Sequence, residues 1–235
     1  MVHTPVAMKR IVRDVGQVMG PSKQTLASQG IYYLPDESCS YKGVALVIGQ
    51  SDTPYFGGYY FFSILFPEDY PFSPIQVRTL TQDGKTRFNP NMYLDGKVCL
   101  SILNTWHDGP QWSGIQTLES VLLVLQSDVL VTNPLKNEPA FRTMELTPDS
   151  QIYNRLLWYA NLETAVLKML TKPPTYVLGF EEILHSEFLK RKEDILKRAA
   201  DDSVNDGKTE TCRVFSMKST YNFTKLIEQL LTVKN

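Results

Sequence analysis

Apolar residues at Met8, Ile11, Val12, Val15, Val18 and Met19 recur at helical spacing, and Gly20-Pro21 stops the run. This predicts an amphipathic first helix with Lys9, Arg10 and Arg13 toward its polar side. The pattern then changes. Val44–Ile48, bounded by Gly43 and Gly49, reads as a buried strand, and Tyr59–Phe66 is an aromatic and branched run of the same kind. Asp52-Thr53-Pro54 and Gly57-Gly58 between them are turn chemistry, and a corner with Pro67, Pro71 and Pro74 precedes a further strand around Ile75–Leu80. Consecutive strands on short turns favour an antiparallel meander.

Residues 81–114 carry no period and hold Asn89-Pro90-Asn91, Asp95-Gly96 and Asp108-Gly109-Pro110. An aperiodic stretch of this length inside a folded chain is uncommon and tends to be functional. Ser113 followed by Gln116 then reads as a capping box. Ile115, Leu118, Val121, Leu122, Leu125 and Val129 supply a core stripe, and Leu123, Val124 and Leu130 suggest burial on most sides. Asn133-Pro134 ends that helix. Pro148-Asp149 opens another, to about Leu170, closed by Lys172-Pro173-Pro174. Residues 176–198 read as a charged helix, acidic early (Glu181, Glu182) and basic late (Lys190–Lys192, Lys197, Arg198), which suits the helix dipole. A polar turn, Asp201–Gly207, leads to a short amphipathic helix with Phe223, Leu226, Ile227, Leu230 and Leu231, capped by Ser219 or Thr220. That stripe either grips a partner or folds back onto the core.

The formal charge of −1 offers no basic excess for a nucleic-acid backbone. The most apolar stretch, Leu118–Val131, is shorter than the ~20 residues a bilayer span needs and is broken by Gln126, Ser127 and Asp128. No leader pattern marks the start. Cys39, Cys99 and Cys212 are sparse and unpaired in spacing, which fits a reducing compartment; a soluble, monomeric, cytoplasmic or nuclear protein is expected. Cys99, flanked by Val98 and Leu100, reads by itself as an inert buried thiol. His107 is the one histidine near it, which leaves a thiol-hydrolase pair open but supplies too few ligands for zinc.

The neighbourhood changes that reading. Tyr70-Pro71-Phe72-Ser73-Pro74, Phe88-Asn89-Pro90-Asn91, Gly96–Leu103 around Cys99, Gln111-Trp112-Ser113 and Asn137-Glu138-Pro139 follow one another in an order and spacing that resemble the ubiquitin-conjugating enzyme family over residues 5–172. The inserted Asn104–Pro110 segment and a helical tail resemble one branch of it, the Z-type enzymes. The resemblance implies an α+β fold: an N-terminal helix, a four-stranded antiparallel meander, a cysteine loop and a central buried helix in residues 1–172, then a helical extension over 173–235. It implies a transferase that takes ubiquitin or a ubiquitin-like protein from an activating enzyme as a Cys99 thioester. The modifier then passes to a substrate lysine, with a ligase and without a cofactor or metal of the chain's own.

By that resemblance Asn91 either donates to the oxyanion or braces the loop, and Glu138 is the acidic gate that orients the lysine; otherwise Asn91 is a turn residue and Glu138 a solvated carboxylate. Lys9 and Arg10 match positions that meet activating enzyme and ligase, and Phe72, Gly114 and Ile115 match the ligase-docking surface. Departures are plain. Asn89 stands where the family has histidine, Ser101 replaces an acid often found after the cysteine, and Ser113-Gly114-Ile115 replaces Ser-Pro-Ala. Trp106, in the insertion, would shield the thioester, meet a partner or pack on the core. The rival expectations are a non-catalytic ubiquitin-binding variant of the same fold and a Cys99/His107 hydrolase.

Overall fold

The computed structural model describes residues 2–142 and 146–233. It divides into two compact units. One comprises the described residues of Met1–Ile48, Tyr60–Leu80 and Asn91–Val129; the other comprises those of Gly49–Tyr59, Thr81–Pro90 and Leu130–Asn235.

In the first unit, α1 (Pro5–Met19) starts at Thr4, whose hydroxyl accepts from the Ala7 N–H, with Pro5 in the first turn where its missing N–H costs nothing. It buries Ala7, Ile11 and Val18 and packs on α3. A short α2 (Lys23–Ser28) leads into the sheet β1 (Ile31–Asp36), β2 (Cys39–Ile48), β3 (Tyr59–Leu65) and β4 (Gln76–Thr79), paired in that order. β1–β2 and β3–β4 are antiparallel, registered by Ile31 opposite Val47 and Ile64 opposite Val77. The four-strand meander is as expected, but β1 does not stand out in the sequence. Pro35-Asp36 there resembles a turn, and the structure places the register shift between those two residues.

The central helix differs from expectation at both ends. α3 runs over Leu118–Val124, and its capping box is Thr117 with Ser120, one turn later than Ser113 and Gln116. Ile115 lies ahead of the helix and is 88% exposed, so it leaves the core stripe; Leu123 is 37% exposed, so the burial is one-sided. Leu125–Val129 continues as a π-helical turn.

The second unit holds α4 (Pro148–Ala160), a π segment (Asn161–Leu167) and α5 (Lys168–Thr171), matching the helix expected to about Leu170. α6 (Glu181–Asp202) follows, then the hairpin β5 (Thr209–Cys212) and β6 (Met217–Thr220), and α7 (Phe223–Leu231). The extension is therefore not wholly helical. α6 also outruns its basic stretch and ends on Asp201-Asp202, so the dipole complement at that end is absent. α7 is capped by Asn222, not by Ser219 or Thr220, and buries Phe223, Leu226 and Leu230: the stripe folds back on its own unit.

Candidate functional site

Cys99 is 4% exposed and sits between an extended segment and the 3-10 turn Ser101–Leu103. Its backbone is held from two sides. The Cys99 N–H donates to Asn91 O (2.8 Å), and Asn91 Nδ2 donates back to Cys99 O (2.5 Å). Leu100 N–H donates to Thr105 Oγ1 (2.9 Å), and that hydroxyl lies 2.8 Å from Val98 O as donor. In this geometry the Asn91 amide braces the cysteine loop, one of the two roles the sequence leaves open.

The inserted segment folds over this loop. Asn104, in the left-handed region at φ 54°, accepts from the Trp112 N–H through Oδ1 (2.8 Å). Trp112 Nε1 donates in turn to Pro71 O (2.8 Å). Gly109, at φ +116°, passes so close to Ser101 that a Cβ there would lie 2.8 Å from Ser101 Oγ. Only a glycine allows both the dihedral and the approach. Trp106 is half-buried, its ring tilted against His107 and its carbonyl held by Gln111 Nε2 (2.9 Å), so it belongs to the insertion and not to the core. His107 is exposed, and among the described residues no hydrogen bond joins it to Cys99.

The loop beside Pro71 and Phe72 is held by α1. Phe72 is 78% exposed, and Gly114 lies beside Pro71 with room for a Cβ, 3.6 Å from Pro71 O. Arg10 does not stand free on the helix. Its Nη1 and Nη2 donate to Gly114 O (2.7 Å) and Gln116 O (2.6 Å), while Nε holds Asp14 at 2.9 Å. Asp14 is buried and also accepts from the Tyr70 hydroxyl, whose pKa is raised first by burial and then by that carboxylate. Arg10 thus carries the loop that presents Gly114 and Ile115, and Lys9 alone of the pair projects into solvent.

In the second unit, Asn89 is fully buried. Its Nδ2 donates to the Tyr55 hydroxyl (3.1 Å), Tyr55 donates to Phe88 O (2.6 Å), and Asn137 Nδ2 approaches Asn89 Oδ1 at 3.4 Å. An amide here serves as both donor and acceptor, so it satisfies the buried phenol without a titratable ring. Burial pushes the Tyr55 pKa up, keeping it the donor. Glu138 is half-buried between the 3-10 turns Pro134–Asn137 and Pro139–Phe141; its N–H donates to Leu135 O (3.0 Å) and its carbonyl accepts from Phe141 N–H (2.9 Å).

Thr105, Asn104 and Tyr55 were not singled out from the sequence. Thr105 and Asn104 fall in an aperiodic insertion, and the sequence pattern gives no sign of which backbone groups they bind.

Known proteins match this chain over its larger part. The ubiquitin-conjugating enzyme family profile covers residues 11–157. The chain is 44% identical to ubiquitin-conjugating enzyme E2 Z of Xenopus tropicalis over 142 residues, 60% of this chain and 45% of that protein. It is 34% identical to the probable ubiquitin-conjugating enzyme protein 17 of Caenorhabditis elegans over 234 residues, 94% of this chain and 32% of that protein. The chain thus spans half or less of the length of these relatives. Among solved structures, the E2 domain of a Toxoplasma gondii ubiquitin conjugating enzyme matches with a TM-score of 0.50 at 21% identity, covering 67% of this chain and 97% of that one, which speaks for the fold alone. With the profile spanning well over half of its residues and E2 Z proteins among its relatives, the chain belongs to the ubiquitin-conjugating enzyme family, in the Z-type branch.

Proposed function

We propose that the chain is a transferase that accepts ubiquitin or a ubiquitin-like protein on Cys99 and passes it to a substrate lysine. The observation that carries this reading is the pairing of a single cysteine with Asn91 through two reciprocal hydrogen bonds, in a chain of this family. A cysteine kept only for packing needs no such fixed backbone.

In the first step the Cys99 thiolate attacks the thioester carbonyl carried by the activating enzyme. A new C–S bond forms, the old one breaks, and the partner's thiolate leaves. The exchange is near thermoneutral, so ATP is spent by the activating enzyme and this chain needs no cofactor. Thiolate is the reactive form, and an ordinary thiol has pKa about 8.5, so deprotonation is part of the first barrier. In the second step a neutral lysine amine attacks the same carbonyl. A C–N bond forms, the C–S bond breaks with Cys99 leaving as thiolate, and the amine proton passes to solvent; by the family resemblance Glu138 orients the lysine. Asn91, through its amide on the Cys99 carbonyl, holds the loop that presents the thioester to the lysine. Phe72, Gly114 and Ile115 dock the ligase, and Lys9 meets the activating enzyme.

The test is a non-reducing gel after incubation with ubiquitin, activating enzyme and ATP. The expected result is a thiol-labile adduct of the wild type, none for Cys99→Ala, and a thiol-resistant ester for Cys99→Ser. Loading of Cys99→Ala, or a wild type that stays unloaded with a panel of modifiers and activating enzymes, overturns the proposal. Cleavage of a model thioester without ATP would instead identify the hydrolase.

A further inference from the structure

The two peptide planes that flank the Cys99 Cα are each tied at both polar ends. In the plane joining Val98 to Cys99, the carbonyl accepts from Thr105 Oγ1 (2.8 Å) and the N–H donates to Asn91 O (2.8 Å). In the plane joining Cys99 to Leu100, the carbonyl accepts from Asn91 Nδ2 (2.5 Å) and the N–H donates to Thr105 Oγ1 (2.9 Å). Two planes so fixed set φ and ψ of the residue between them, and with them the direction of its Cα–Cβ bond. The hydroxyl is suited to the task because one oxygen both donates and accepts. Thr105 is itself anchored, its N–H lying 3.2 Å from Leu100 O, and the left-handed turn at Asn104 delivers it there.

We propose that Thr105 is a positioning residue for transfer: it shares with Asn91 the fixing of the Cys99 backbone and so the presentation of the thioester carbonyl. This gives the insertion a role in the reaction, since Thr105 reaches the loop only through it. The inference rests on the reading of Cys99 as the thioester carrier. The hydroxyl takes no part in bond making; it limits the orientations that the sulfur and the acyl group attached to it can sample. Rate loss for a reacting group misplaced by about 1 Å reaches ~10²-fold, so loss of half the clamp should cost about 10-fold or more.

Thr105→Val removes the hydroxyl at constant shape, and Thr105→Ser keeps it without the methyl. Both are loaded with ubiquitin, and single-turnover discharge is followed against free-lysine concentration. The expected result for Thr105→Val is a saturating rate down about 10-fold or more, with the lysine concentration for half-saturation unchanged. Thr105→Ser discharges at the wild-type rate. Amide exchange at Leu100 quickens in Thr105→Val alone, a readout that needs no ubiquitin and so tests the clamp even if the wild type fails to load. Should Thr105→Val not fold, Thr105→Ala takes its place in the same measurements. Discharge by the hydroxyl-free variant at the wild-type rate, failure of serine to restore it, or Leu100 exchange unchanged would each overturn the proposal; a wild type that never loads would instead overturn the reading of Cys99.

Discussion

Replacing Glu210 with glutamine tests how β5 is fastened to α4. The Glu210 carboxylate is buried and receives Arg155 through Nε (2.9 Å) and Nη2 (2.8 Å), Lys208 Nζ at 2.8 Å and the Tyr221 hydroxyl at 2.7 Å. The Arg155 hydrogen bonds, aided by Lys208 and Tyr221, overcome the cost of burial and hold its pKa at about 2, against an ordinary 4.5. A folded-state pKa below the unfolded one stabilises the fold fully above the unfolded value, and that contribution is lost as pH falls through the folded one. At about 1.4 kcal/mol per tenfold change in proton affinity, the ceiling is about 3 kcal/mol. Arg155 is 37% and Lys208 50% exposed, so solvent screening brings the expected contribution to about 1–2 kcal/mol. Urea unfolding of the wild type and Glu210→Gln, from pH 7 down to pH 3, reads it directly. At pH 7 the variant should be less stable by about 1–2 kcal/mol, and the gap should narrow by about half by pH 3. A gap that stays constant across this range, or no gap at pH 7, refutes the argument.

Two further outcomes follow from named contacts. Arg10→Lys keeps a charge beside Asp14 but cannot fork onto Gly114 O and Gln116 O, so stability should fall by about 1–2 kcal/mol and residues 113–117 should become more open to proteolysis. A lysine variant as stable and as resistant as the wild type would show the fork to be dispensable. Gly57 has φ +70°, and a Cβ there would lie 2.5 Å from Ile195 Cδ1. Gly57→Ala should therefore cost about 1–2 kcal/mol, part of it recovered when Ile195→Val removes that methyl; strictly additive losses in the double variant would count against the clash.

What the sequence disclosed depended on whether local pattern and tertiary partner agreed. α1 carries periodic apolar residues that match the face it buries, β3 is an aromatic and branched run that is almost wholly buried, and α4 opens on Pro148-Asp149; all three were legible. β1 alternates in burial but begins beside Gly30 and ends on Pro35-Asp36, so its turn chemistry hid its pairing with β2. The β5–β6 hairpin has short strands of mostly polar residues, and Glu210 in it is gripped by Arg155 of α4, a partner that no local window contains. The π turn at Leu125–Val129 keeps the same apolar residues buried as an α-turn would, so periodicity could not distinguish them. Around Cys99 the motif residues were legible as a resemblance. The bonds to Thr105 were not, because a hydroxyl in an aperiodic insertion says nothing of which carbonyl it will meet. Arg10 adds a second case: the helix pattern gave no sign that its guanidinium also holds the chain's own loop.

α6 has one further practical meaning. The Tyr59 hydroxyl donates to Leu184 O (2.7 Å), Ile195 fills the notch left by Gly57, and the Arg198 guanidinium lies 4.2 Å over the Trp158 ring while its Nη1 reaches Thr53 O at 2.9 Å. A shortened protein stopping at Lys172 would retain every residue named in the reaction scheme. It would also bare the Tyr59 and Trp158 rings and the space beside Gly57 that Ile195 fills, apolar surface that favours association of such a fragment over its assay as a monomer.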